Sequence, residues 1–167
     1  MLLQALRQVL KGQSDGEDLP ALLRVVAQDA RASLPGVSMK GAGGAPDWAG
    51  YESFLWEVSE DLRQYVKKRR SIRSDHRVWA AVAELVADRS YGNGRENFVL
   101  MLGQYGGSAY ADLIAEQLDD PAVSAHAIRA LRLLDDGRFV DQARTLEAEP
   151  PTGAARFEAR KYLKKFG

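Results

Sequence analysis

The densest chemistry in the sequence is a run of cations, Lys67, Lys68, Arg69 and Arg70, followed by Arg73 and Arg77. Residues 63–77 carry 7 basic and 1 acidic side chains, against 5 and 9 in 1–62 and 11 and 13 in 78–167. A chain of zero net charge therefore concentrates +6 in one short segment. Guanidinium and ammonium groups at that density can neutralise phosphates, and Tyr65 and Trp79 flank the run as rings on which bases could stack. These features make it a candidate anion or nucleic-acid patch. Two other readings stand beside it. Cations at the C-terminus of a helix are favoured by its dipole, charge runs usually stay solvated, and both aromatics fall on apolar stripes. Docking on an acidic protein is the third use.

Other catalytic residue types are present without the spacing that chemistry needs. His76 and His126 are the only histidines, and neither stands in an H-E-x-x-H or His/Cys zinc pattern. There is no cysteine, which excludes disulfides and thiolate metal sites and agrees with a reducing compartment. Gly92-Asn93-Gly94-Arg95 could aim N–H groups and a guanidinium at an oxyanion, yet no strand precedes it, and an inter-helix turn accounts for the same residues. Asp119-Asp120 and Asp135-Asp136 read as caps and turn formers. No nucleophile elbow, Walker loop or kinase signature occurs. The expectation is a protein that is not an enzyme, with no catalytic residue, metal or cofactor.

The elements that would carry these residues are helices. Leu2, Leu3, Leu6, Val9 and Leu10 recur at helical spacing up to Gly12, and Leu19, Leu22, Leu23, Val26 and Ala30 do so after Asp18, a possible cap, so 1–35 reads as a helical hairpin or cap. Residues 36–50 hold five glycines and read as a loop, with Trp48 as an anchor at its far end. Tyr51, Phe54, Leu55, Val58, Leu62, Tyr65 and Val66 keep one face through four turns and predict the longest helix, with the basic run at its end. Ser74 or Asp75 can cap the next, whose buried stripe is Val78, Trp79, Val82, Leu85 and Val86. Further on, Gly106-Gly107 ends one helix and Ser108 can cap another holding Tyr110, Leu113, Ile114 and Leu118. Asp120-Pro121 signals a helix start, and Asp136-Gly137 a turn.

Within 96–166 the pattern repeats. Leu102, Tyr110 and Asp112 lie 29 positions before Leu131, Phe139 and Asp141, and Ala127, Leu131 and Leu134 lie 32 before Ala159, Leu163 and Phe166. A period near 30 with two helices per unit suits an α-solenoid, in which neighbouring units supply one another's core. With the Asp119-Asp120-Pro121 junction, the segment resembles HEAT-like repeats of the short bacterial type. That resemblance implies an all-α solenoid of antiparallel helix pairs, with 51–167 as the repeat region, and the apolar stripes along the chain add up to about eight to nine helices in all. It also implies mostly protein binding, with rarer members that bind nucleic acid or act on DNA bases as glycosylases.

The expected function is accordingly a non-catalytic protein–protein interaction module, a scaffold or an inhibitory, immunity-type binder. Its contact residues should come from the second helix of each pair: Asp112, Glu116, Asp141 and Arg144. The alternative is a nucleic-acid-binding module using 63–77, and the third reading is a DNA-base-acting enzyme, against which the net acidity of the repeats counts. The partner would be another protein, with nucleic acid less favoured. The first ten residues are too short and too interrupted for a secretory core or a membrane span, so no membrane partner is expected and a cytoplasmic location is.

Overall fold

The computed structural model describes residues 6, 8–11, 18–34 and 50–167. Most of the expected N-terminal hairpin's first helix, the glycine-rich loop 36–50 up to its last residue, and Trp48 lie outside them. Among the described residues all regular structure is helical, so the fold is all-α. The chain divides into two compact units, Met1–Phe98 and Val99–Gly167.

In the first unit, α1 (Leu19–Ser33) buries Leu19, Leu23, Val26, Ala27 and Ala30. Asp18 occupies the N-cap position without a side-chain capping bond, and Pro20 supplies the start instead. The helix stops at Leu34, which is extended because it precedes a proline. α2 (Tyr51–Lys68) is the longest described helix and buries Leu55, Val58, Leu62, Tyr65 and Val66, each large side chain contributing about 1.5–3 kcal/mol of transfer free energy. The chain then straightens at Arg69 (φ −129, ψ 103) and makes a single turn, α3 (Arg70–Arg73), whose Ile72 dips into the core. α4 (His76–Ala87) opens on Asp75, whose carboxylate accepts from the Arg77 N–H at 3.0 Å as expected of a cap.

α1 packs on α4, and two cross-links fasten the pair. Arg24 forks onto Glu84 at 2.5 and 2.7 Å, and Arg31 reaches Asp88 at 2.8 Å and the Ser90 hydroxyl at 2.6 Å. Both lie at the surface, so they fix register more than they stabilise. The 3-10 stretch Arg89–Arg95 packs against α2 and is broken at Gly92. α5 (Glu96–Met101) carries the chain across the division between units.

The second unit begins irregularly. A π-helical turn, Leu102–Gly106, ends at Gly107 (φ 87), and a 3-10 turn, Ser108–Tyr110, leads into α6 (Ala111–Ala115). Ser108 makes no capping bond, and α6 stops three residues short of Leu118, where turns take over. α7 (Ser124–Leu133) begins three residues after Pro121: the Asp120 carboxylate accepts from the Ala122 N–H at 2.9 Å and its carbonyl from Ser124 N at 2.8 Å, closing a turn before the helix. α8 (Val140–Ala148) and α9 (Gly153–Phe166) follow, α9 capped by the Thr152 hydroxyl, which accepts from Ala155 N at 3.1 Å.

α9 packs on both α7 and α8. Its fully buried Tyr162 donates its hydroxyl to the Asp136 carbonyl and accepts from the Phe139 N–H at 3.2 Å, tying the α7–α8 turn to the last helix. In that turn the left-handed residue is Asp135 (φ 60), not Gly137. Aspartate tolerates the conformation, and Lys165 meets its carboxylate at 2.5 Å.

Candidate functional site

The cationic run is spread over three helical pieces rather than one helix end. Lys67 and Lys68 close α2, Arg69 bridges, Arg70 and Arg73 belong to α3, and Arg77 lies in the first turn of α4. All are exposed except Arg69, which is half-buried. Arg77 is committed internally: its guanidinium forks onto Asp75 at 3.0 and 2.7 Å, and that bonding holds the Asp75 carboxyl below its ordinary value. Neither flanking aromatic offers a ring to a base. Trp79 is 2% exposed and donates its indole N–H to the Arg73 carbonyl at 2.9 Å. Tyr65 is 4% exposed, and the Arg69 guanidinium lies over its face, 4.1 Å from the centroid.

Arg69 and Lys68 line a cleft of about 330 Å³ with Leu10, Lys11, Asp61, Gln64 and Tyr65. Asp61, Gln64, Tyr65 and Lys68 recur at three- and four-residue spacing on one side of α2. Asp61 lies just before the basic segment 63–77 and Gln64 is an uncharged residue within it, so neither stood out among the candidate cations, although that spacing was legible. Lys11 carried no such signal, because it lies in a turn 50 positions before Asp61 in the sequence. Among the described residues Lys68, Arg69, Arg70 and Arg73 have no carboxylate within ion-pair distance. Elsewhere in the described chain at least ten cations meet one within 3.3 Å.

The Gly92-Asn93-Gly94-Arg95 loop does hold an anion, and the anion is internal. The Glu52 carboxylate accepts from the Asn93 N–H at 2.9 Å and from the Asn93 side-chain amide at 3.1 Å. A Cβ on Gly92 would stand 2.6 Å from that carboxylate, and one on Gly94 2.8 Å from the Glu52 carbonyl. Arg95, 1% exposed, turns inward: its guanidinium donates to the Gly92 carbonyl at 3.1 Å and to the Val86 carbonyl at 3.0 Å, placing a cation on the C-terminal end of α4. The turn reading accounts for all four residues.

The expected partner surface is solvent-exposed. Asp112 lies on α6 with Glu116 just beyond it, and Asp141 and Arg144 lie on α8; all four are exposed. Asp112 meets Arg138 at 3.3 Å, and Asp141 meets Arg144 at 3.1 Å. Side chains 79% and 93% exposed on Asp112 and Asp141 keep both pairs weak. The 29-residue offset has a structural counterpart. Tyr110 (φ −103, ψ 4) and Phe139 (φ −104, ψ 29) each occupy the N-cap position of their helices, so Asp112 and Asp141 each fall second in theirs.

His76 is exposed at the start of α4, His126 is half-buried on α7, and no group of three metal-ligating side chains occurs among the described residues. No described helix is long and apolar enough to cross a membrane. Comparison with protein-family models, curated proteins and solved structures finds no match.

Proposed function

We propose that this chain is a non-catalytic protein-binding module whose second unit is a short HEAT-like helical array. The observation that supports it is the repeated presentation of Asp112 and Asp141: each is the second residue of its helix, after an aromatic N-cap of near-identical backbone conformation, and each points into solvent. Neither carboxylate is buried or caps a helix, and each holds only a weak exposed ion pair that a partner's cations can replace. Glu116, just after α6, and Arg144 on α8 are exposed as well. A scaffold or an inhibitory binder in the cytoplasm is the role this reading implies.

The test is cross-linking from photoreactive side chains at positions 112 and 141 in source cells, with and without nuclease. A protein adduct resistant to nuclease, and abolished by Asp112→Lys with Asp141→Lys, is the expected result. Adducts indifferent to both substitutions would remove this surface from function. The second reading, a nucleic-acid binder, is favoured by one observation, the uncompensated cations Lys68, Arg69, Arg70 and Arg73. It requires nucleic acid to copurify with the wild-type chain and to be released steeply by salt.

A further inference from the structure

The cleft on the first unit has three properties that a solvated helix end does not require. It is concave, with about 330 Å³ between Lys11 and the last two turns of α2. It gathers Lys11, Lys68 and Arg69 around a single acid, Asp61, for a local charge of +2. Its arginine is also pre-positioned, because the guanidinium is stacked on the buried Tyr65 ring rather than drawn off to an internal carboxylate. Gln64, on the same wall, is anchored by its amide to Glu60 at 2.8 Å.

We propose that this cleft binds a phosphomonoester, presented as a phosphorylated side chain of a partner protein. The inference rests on the protein-binding reading above and assigns it a second contact on the first unit. A phosphorylated serine or threonine carries about −1.5 to −2 at pH 7, which matches the cleft's charge, whereas each phosphodiester of a nucleic acid carries a single charge. A guanidinium fork suits two phosphate oxygens, and ammonium groups serve as point charges beside it. The negative end of the α2 dipole opposes an anion here, but it amounts to about half a charge and is outweighed by three cations. Single-stranded nucleic acid would need stacking platforms, and the Tyr65 and Trp79 rings are both already covered.

The experiment titrates the full chain with four probes: inorganic phosphate, a blocked Ala-phosphoserine-Ala peptide, its unphosphorylated counterpart, and an oligothymidylate. Chemical-shift changes at Lys11, Gln64 and Lys68 give the readout. Phosphate and the phosphopeptide should perturb these residues, and the serine peptide should not. Lys68→Ser and Arg69→Gln should each weaken the phosphopeptide about tenfold or more, the loss of one charge-assisted hydrogen bond. Arg70→Ser with Arg73→Ser removes two charges outside the cleft and should change it by less than about twofold at 0.15 M salt, where exposed charges are screened.

Lys68 is exposed at a helix end, so its variant folds whatever becomes of Arg69. Equal losses in the two variant sets, or tighter binding of the oligothymidylate than of the phosphopeptide, would overturn the site in favour of diffuse nucleic-acid attraction. No perturbation at millimolar phosphate or phosphopeptide would overturn it outright. Cross-linking through positions 112 and 141 that persists despite either result would leave the protein-binding reading standing and remove only the cleft.

Discussion

Gly92 shows how a single missing side chain can be fixed by the residue opposite. Its φ of 50 and ψ of −134 lie where only glycine is comfortable, and its Cα hydrogen occupies the space a methyl group would need against the Glu52 carboxylate. Gly92→Ala should therefore cost about 1–3 kcal/mol by backbone strain together with the clash. Glu52→Ala relieves the clash but leaves the strain and removes both bonds from Asn93, so the cost of Gly92→Ala should shrink without vanishing when it is measured against Glu52→Ala. Urea unfolding of the two single variants and the double measures both steps, and no cost of Gly92→Ala in the Glu52→Ala background would show that crowding alone sets the requirement. From the sequence, these glycines before an arginine read as an inter-helix turn, with a cradle for an external oxyanion as the lesser alternative. What could not be read there was the occupant, because Glu52 is 41 positions away.

Helices were legible where a long apolar stripe kept its phase. The stripe from Tyr51 to Val66 and the one from Val78 to Val86 both appear on the expected segments, since burial of one face outweighs propensity. Their interruptions were not legible. No glycine or proline stands at Arg69, yet the chain straightens there, and the following turn lowers Ile72 into the core. The π turn at Leu102–Gly106 escaped for a related reason: sequence periodicity counts apolar positions and does not register one extra residue per turn. In the candidate cleft the cations were plain, but their want of partners was not, because a neutralising carboxylate can come from far along the chain, as Glu84 and Asp88 reach Arg24 and Arg31 across 60 and 57 positions.

At this scale close approach of elements can be tested. A Cβ on Gly103 would stand 2.6 Å from the Ala130 methyl and 2.7 Å from its carbonyl, so the π turn and α7 touch through backbone. Gly103→Ala should destabilise by about 1–3 kcal/mol, the cost of overpacking. Gly153→Ala, where nothing lies within 4 Å, should be neutral or stabilise by up to about 1 kcal/mol. Thermal melts of the pair decide: equal shifts would mean that α7 moves aside without cost.

Over the whole chain, 23 acids balance 23 Lys and Arg, and much of that balance is made in local pairs. Hydrogen bonds from Arg63, Arg77, Arg24 and Arg138 hold the carboxyls of Glu60, Asp75, Glu84 and Asp136 below their ordinary values. Burial opposes ionisation of Glu158, but bonds from Lys161 and Arg132 more than offset it. A depressed folded value stabilises above the unfolded one, near pH 4, and the contribution is lost as pH falls through the folded range. Protonation there also strips 23 negative charges from a chain that keeps its cations. The urea midpoint should therefore drop below about pH 4, more at low salt than at high. A midpoint that rises on acidification would contradict this.

The hold of Asn93 on Glu52 also sets an order in time. During synthesis the start of α2 leaves the ribosome 41 residues ahead of its hydrogen-bonding partner. At about 5–20 residues per second, that helix waits some 2–8 seconds with its first-turn carboxylate unmet. A chain arrested before Asn93 should thus expose the N-terminal turn of α2 to hydrogen exchange, and one released a few residues later should close it.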